Sequence, residues 1–265
     1  MTAPALLRRE DKSGVTTLTL TSAATRNALS LLMIDTLLVA FEEIARDAGV
    51  KVVVLAGEGP VFCSGHDLRE IQAHSNDEDR GAAFYEKLFD RCAGFMRGLS
   101  EHPKPVIVAV EGIATAAGCQ LVAAADLAIA GRGARFSLPG VRNAGFCSTP
   151  LVAVGRAVSR KHAMEMALTA EFVAAERAEA IGLVNRVTPE GEALAAAEAL
   201  AATIASRPTS AIALGKRTFY EQIDMPLADA YAHASRAMVA NFQSDDAREG
   251  RAAFLEKRAP RWSGA

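Results

Sequence analysis

The sequence predicts a mixed α/β fold that ends in a helical tail. Three observations carry this. Short apolar, β-branched runs at residues 51–56, 106–110 and 127–130 alternate with stretches at helical spacing. Two small-residue loops each follow one of these runs and lead into a helix-like stretch. From Ser159 onward the pattern becomes helical. A β-α-β-α order implies crossover connections and an α/β core.

Taken in order, residues 15–21 alternate apolar and hydroxyl side chains, as a half-buried strand does. Residues 30–45 carry apolar positions at helical spacing, with Ser30 as the N-cap. Residues 51–56 form a short buried strand, and the polar, punctuated residues 74–80 read as a mobile loop. A helix over 81–99 stops before the Pro103-Lys104-Pro105 lead into the strand at 106–110. Residues 116–124 are a small-residue helix and 127–130 a strand. Ser159 caps a helix over 160–168, and Gly182 stops a helix over 174–181 as a C′ glycine. An alanine-rich helix over 190–206 ends before Pro208; helices over 209–222, 227–242 and 245–257 complete the tail. There is no linker, low-complexity tract or strong internal repeat.

A chain of 265 residues can bury one substantial core, or a core with a small helical appendage. Half the residues are apolar, a globular composition. A formal net charge of −2 supplies no basic field for nucleic acid, so any phosphate site is local. Cys63, Cys92, Cys119 and Cys147 lie far apart with no C-x-x-C. That excludes a zinc ribbon and a disulfide scaffold and predicts reduced thiols with no metal. No apolar run reaches the ~18 residues of a membrane span. Residues 1–10 hold too short an apolar patch for a signal peptide, so elimination predicts a cytoplasmic protein.

The two loops carry the chemistry. They are Phe62-Cys63-Ser64-Gly65-His66-Asp67-Leu68 and Glu111-Gly112-Ile113-Ala114-Thr115-Ala116-Ala117-Gly118-Cys119-Gln120-Leu121. A strand, a small-residue turn and a helix start leave backbone N–H groups aimed at one spot, with the helix dipole behind them. Two such donors stabilise a developing enolate or tetrahedral oxyanion, each worth about 10²–10³ in rate.

With Arg26-Asn27-Ala28-Leu29, Ala180-Ile181-Gly182-Leu183-Val184 and Phe254-Leu255-Glu256-Lys257-Arg258 in the same order, the chain resembles the enoyl-CoA hydratase/isomerase (crotonase) superfamily. Gly65-His66-Asp67-Leu68, Gly145-Phe146-Cys147-Ser148-Thr149-Pro150 and Gly215-Lys216-Arg217-Thr218-Phe219-Tyr220 resemble its enoyl-CoA hydratase domain-containing group. The resemblance implies a ClpP/crotonase-like spiral of β-β-α units over residues 1–205. A helical region over 206–265 would pack between subunits of a homotrimer or dimer of trimers. It also implies an acyl-CoA thioester substrate from fatty acid or lipid metabolism, with coenzyme A carried as part of the substrate and no separate cofactor.

By motif position, the oxyanion donors are the N–H groups of Ser64 and Ala117. Gln120 and Gly140 stand where the hydratases carry their two glutamates. Gln120 can orient water but cannot take its proton near neutral pH, and Gly140 has no side chain. Each positioned acid or base is worth about 10²–10⁴, so hydration is in doubt. The candidate substitutes are few. Asp67 fits a helix start, and His66 titrates near pH 7 or faces CoA. Arg142, beside Asn143, is either a carboxylate binder or a surface arginine. Cys147, beside Ser148, lacks a partnered base. Cys63 and Cys119 read as packed thiols. CoA contacts are expected at Arg26, Ala28, Ser64, His66, Asp67, Leu68 and Lys257, with Arg258 as the neighbour of Lys257. The same loops also suit a non-catalytic acyl-CoA binder or modulator, or an acyl-CoA hydrolase or decarboxylase.

Overall fold

The computed structural model describes residues 5–263. β1 (Leu7–Lys12) and β2 (Val15–Leu20) form an antiparallel hairpin, and β3 (Val52–Gly57) pairs parallel to β2. β5 (Val106–Val110), β7 (Leu127–Gly131) and β10 (Arg186–Thr188) extend that sheet, again in parallel. A second sheet holds β4 (Val61–Cys63), β6 (Ile113–Thr115) and β8 (Arg135–Ser137) in parallel, with β9 (Val173–Ala174) antiparallel at its edge. Each of β3, β5 and β7 in the long sheet is thus followed by a short strand in the second sheet. Helices complete each turn of this spiral. α1 (Leu31–Arg46) connects β2 to β3; α2 (Leu68–Ala73) and α3 (Ala82–Glu101) follow β4; α4 (Ala117–Ala124) follows β6. α5 (Ser148–Ala157) and α6 (Arg160–Thr169) follow β8, and α7 (Ala175–Ala180) and α8 (Ala193–Ala205) flank β10. The tail is α9 (Thr209–Gln222), α10 (Leu227–Gln243) and α11 (Asp245–Leu255). This is the crotonase-like α/β fold with a helical C-terminal region that the motifs imply.

The central strands are apolar at every position because the long sheet is covered on both faces. Val53 and Leu55 of β3 point into the main core with Ile34, Leu37, Phe95 and Leu99. Val52, Val54 and Ala56 point the other way, against Ala193, Ala197, Ala201 and Ala205. Those alanines recur every fourth residue and so form one stripe of α8.

The expected helices and buried strands are present with ends shifted by a few residues. Ser30 caps α1, its side chain accepting Met33 N–H at 3.1 Å. β1, the short strands β4, β6, β8 and β9, and helix α5 had no periodic signal. Residues 74–80, expected to be mobile, are a chain of hydrogen-bonded turns. The Asp79 carboxylate accepts N–H groups of Gly81 at 2.9 Å and Ala83 at 2.8 Å, and His74 stacks on Phe84 at 3.9 Å. No helix among the described residues is long and apolar enough to cross a membrane.

The step from β5 to β6 depends on Gly112. Its φ is +70°, and a Cβ there would lie 2.0 Å from the Pro60 carbonyl oxygen. Gly112→Ala combines overpacking, typically ~1–3 kcal/mol, with a left-handed backbone cost of roughly 1–2 kcal/mol. Urea denaturation should therefore show a loss on the order of 3 kcal/mol. A loss within 0.5 kcal/mol, the usual range of a neutral surface change, would show that this crossing is slack.

Candidate active site

The two loops meet through glycine. β4 and β6 are neighbours in the second sheet, with Cys63 paired to Ala114, so the chain leaves the two strands at nearly the same level. A Cβ on Gly118 would lie 2.2 Å from the Cys63 carbonyl oxygen. A Cβ on Gly65 would lie 2.8 Å from Ala116 Cβ and 3.1 Å from Ala117 N. Thr115 Oγ1 donates to the Ser64 carbonyl at 3.1 Å, and the Gly65 carbonyl accepts Leu29 N–H at 2.7 Å.

These contacts decide which N–H groups are free. Ser64 N–H donates to the Arg26 carbonyl at 3.1 Å. The Ser64 amide is therefore already spent on the fold, which corrects the expectation that it is a donor to ligand. Gly65 N–H faces the Cys63 sulfur. The amides of His66 and Ala117 donate to no group among the described residues. Ala117 opens α4, where a helix leaves its first amides unpaired. Ala116 before it is held at φ 51° and ψ −120°, a region that costs a non-glycine residue about 1–3 kcal/mol. That conformation turns the Ala117 N–H out of the β6 ladder.

The two positions expected to hold glutamates differ physically. Gln120 is 3% exposed, and its Oε1 has no partner. It lines a cavity of about 1290 Å³ walled by α3, α4, α5 and α9. Gly140 lies in a 3₁₀ turn, where its N–H donates to Cys147 Sγ at 3.3 Å. A Cβ at Gly140 would lie 2.9 Å from Cys147 N, so the following loop occupies the space of any side chain.

His66 Nδ1 lies 3.2 Å from the Leu29 carbonyl, while Nε2 is buried without a partner. Burial lowers the imidazole pKa below 6.5, against the raising effect of the Leu29 carbonyl. The Asp67 carboxylate accepts Arg69 N–H at 2.9 Å and so caps α2, the helix-start role its position suggests. Arg26 stands at φ 58°, Ala28 is buried and Leu68 is 62% exposed. Arg142, Asn143 and Ser148 are exposed. Lys257 is exposed at φ 54° beyond α11, far along the chain from both loops. Arg258 is held by Glu249 at 2.9 Å and Glu256 at 2.6 Å.

Asn27 was missed as a site-building residue. It is fully buried, and its Nδ2 donates to the Glu58 and Val61 carbonyls, both at 2.9 Å. It pins the approach to β4 beneath Arg26. A lone Asn in a turn motif carries no sequence signal for that partnership.

No cysteine is a poised nucleophile. Burial pushes the Cys63 and Cys119 thiols up to about 12 and raises Cys147 as well. At pH 8 a thiol with that pKa is ionised to only about one part in 10⁴. Native protein treated with iodoacetamide at pH 8 should leave Cys63 and Cys119 unmodified by mass spectrometry, and both should react in urea. Rapid native labelling of either would contradict this burial.

The profile of the enoyl-CoA hydratase/isomerase family matches residues 10–265. The chain belongs to this crotonase family, and within it to the enoyl-CoA hydratase domain-containing group. It is 42% identical over 260 residues to rat enoyl-CoA hydratase domain-containing protein 3, mitochondrial, covering 98% of this chain and 85% of the rat protein. The crystal structure of human enoyl-CoA hydratase domain-containing protein 3 superposes with a TM-score of 0.92 at 41% identity, covering 97% of this chain and all of that one. An enoyl-CoA hydratase structure from Mycobacterium smegmatis superposes at 0.93 with 47% identity, covering 98% and 99%. The cytoplasmic expectation is corrected here: the rat, mouse and human relatives are named mitochondrial. Lack of a leader-like pattern in residues 1–10 does not locate the protein.

Proposed function

We propose that this chain binds an acyl-CoA thioester and stabilises its enolate between the N–H groups of His66 and Ala117. The observation that carries this reading is the close approach of the two loops: a Cβ on Gly65 would lie 3.1 Å from Ala117 N, and neither that amide nor the amide of His66, the residue after Gly65, is spent on the fold. A thioester carbonyl gaining negative charge is the acceptor that such a pair suits. The cavity lined by Gln120, three residues along α4 from Ala117, is the proposed room for an acyl chain. Arg26, Ala28, Asp67, Leu68 and Lys257 remain the proposed CoA contacts, through backbone groups and local charge. The tail over 206–265 is proposed as the subunit-packing region of a homotrimer or dimer of trimers. The exposed Leu227, Tyr231, Met238, Val239 and Phe242 of α10 support that role.

Hydration by the usual carboxylate pair is not part of this reading. Gln120 is not a base, and the Cys147 loop fills the place of a second side chain. That packing also favours a second reading, a non-catalytic acyl-CoA binder or modulator. Thioester hydrolysis and decarboxylation use the same oxyanion site and stand as further alternatives.

The test pairs binding with turnover. Calorimetry should show binding of butyryl-CoA, and crotonyl-CoA incubated with protein should yield no 3-hydroxybutyryl-CoA at enzyme-like rates. The loss of two acid–base groups predicts a deficit of at least about 10⁴. No binding at millimolar thioester would sink the acyl-CoA reading; rapid hydration would show that another pair replaces the glutamates.

A further inference from the structure

Gln120 is the one polar side chain that α4 contributes to the wall of the large cavity; the other α4 residues there are Val122, Ala123 and Ala124. Gln120 is 3% exposed, and its Oε1 is buried without a partner. Its Nε2 makes no hydrogen bond among the described residues either, and with Oε1 sealed it is the amide end that reaches the cavity. Buried unpaired polar groups are uncommon and ask for a reason. The two other unpaired atoms near the loops, Asn27 Oδ1 and His66 Nε2, belong to residues outside this wall.

Gln120 stands one turn from the amide that opens α4. Its N–H donates to the Ala116 carbonyl at 3.0 Å, so residues 116–120 form a regular first turn. Positions three apart share a helix face, and helical side chains lean toward the N-terminus. The Gln120 side chain therefore covers the turn that begins at Ala117, whose N–H is not spent on the fold. Three residues span about 4.5 Å of helix axis. That is the reach of an oxygen two or three carbons from a carbonyl held at the Ala117 amide.

We propose that Gln120 selects acyl groups that carry a hydroxyl two or three carbons from the thioester carbonyl. This rests on the thioester reading above. A plain hydrocarbon chain in the cavity would leave the amide unpaired. A hydroxyl accepts from Nε2, or donates to Oε1 once the amide turns over, so it suits either orientation. A site group that pairs with a ligand hydroxyl discriminates against the analogue lacking it, because the group is then stranded. A carboxylate-ended chain is a poorer match. Its oxygens only accept, and cations of the wall already stand with anions. Arg97 lies 3.3 Å from Glu101 and Arg156 3.9 Å from Asp224, while Arg217 shares its face of α9 with Glu221.

The test is calorimetric affinity for butyryl-CoA, 3-hydroxybutyryl-CoA and 4-hydroxybutyryl-CoA, comparing wild type with Gln120→Met. Methionine keeps an unbranched chain of similar length and removes the amide. Wild type should bind one of the two hydroxyacyl thioesters at least about tenfold more tightly than butyryl-CoA, the order of one hydrogen bond. In Gln120→Met that ratio should collapse to within about threefold, with butyryl-CoA bound at least as well as by wild type. A residue that only shaped the cavity would change all three affinities together and leave the ratio standing. Should Gln120→Met fail to fold by circular dichroism, Gln120→Leu carries the same comparison. Wild-type protein that binds the three thioesters alike overturns the Gln120 assignment alone, as does a variant that keeps the hydroxyl preference. Wild-type protein that binds none of them overturns both readings.

Discussion

The site depends on one steric fact: two backbone loops touch with no Cβ between them. Gly118 lies against the Cys63 carbonyl, and Gly65 against Ala116 and Ala117 N. That approach lets β4, β6 and β8 pair as a second sheet beside the long one. Thr115 and Ser64 are then linked across the gap, and Leu29 is drawn onto Gly65. The strained backbone of Ala116 follows from the same contact. It must turn sharply out of β6 to start α4 without striking Gly65, and the surrounding ladder holds it there.

From that contact follows an unusual electrostatic setting. Gln120 is neutral, Gly140 has no side chain, and the Asp67 and Glu70 carboxylates are turned to backbone amides. Cys63, Cys119 and Cys147 are held as thiols by burial. The fixed polar groups left are amide dipoles at a helix start and one neutral imidazole. On the proposed reading, such a setting suits negative charge on a ligand oxygen. The absence of a side chain at 140 is part of the local architecture. The turn is closed by a Gly145 N–H bond to the Gly140 carbonyl at 3.0 Å, with Cys147 packed behind it.

Much of the fold was legible because burial writes a period into the sequence. β3, β5 and β7 are apolar runs, and α1, α3 and α8 carry core faces at helical spacing. The short strands were not legible, because three residues such as Ile113–Thr115 are too few to show alternation, and their pairing comes from the spiral rather than from their composition. The site was legible as loops, but not as particular donors. Nothing near Ser64 announces that its amide belongs to Arg26, 38 positions earlier in the chain. Likewise Gly140 reads as a missing acid in sequence, while its closed-off space is visible only once Cys147 has folded back over it.

The wall of the cavity lined by Gln120 is set by charge more than by apolar burial. Helix α9 forms part of that wall yet has no fully buried residue. What fixes it is Asp126, whose carboxylate accepts Lys216 Nζ at 2.7 Å, Tyr220 OH at 3.0 Å and Val106 N–H at 2.7 Å. Lys216 also donates to the Leu99 carbonyl at 2.8 Å and the Lys104 carbonyl at 3.1 Å. Burial opposes the Lys216 charge and raises the Tyr220 pKa, so the clasp gains less than its contacts suggest. Its contribution lies in geometry. Two donors of α9, Lys216 and Tyr220, meet on the carboxylate that also accepts Val106 N–H of β5, and Lys216 reaches the Leu99 carbonyl of α3, so directional bonds fix the register of α9 against β5 and α3. The Asp126 clasp therefore sets where α9 stands along the cavity lined by Gln120, although that helix buries no residue fully.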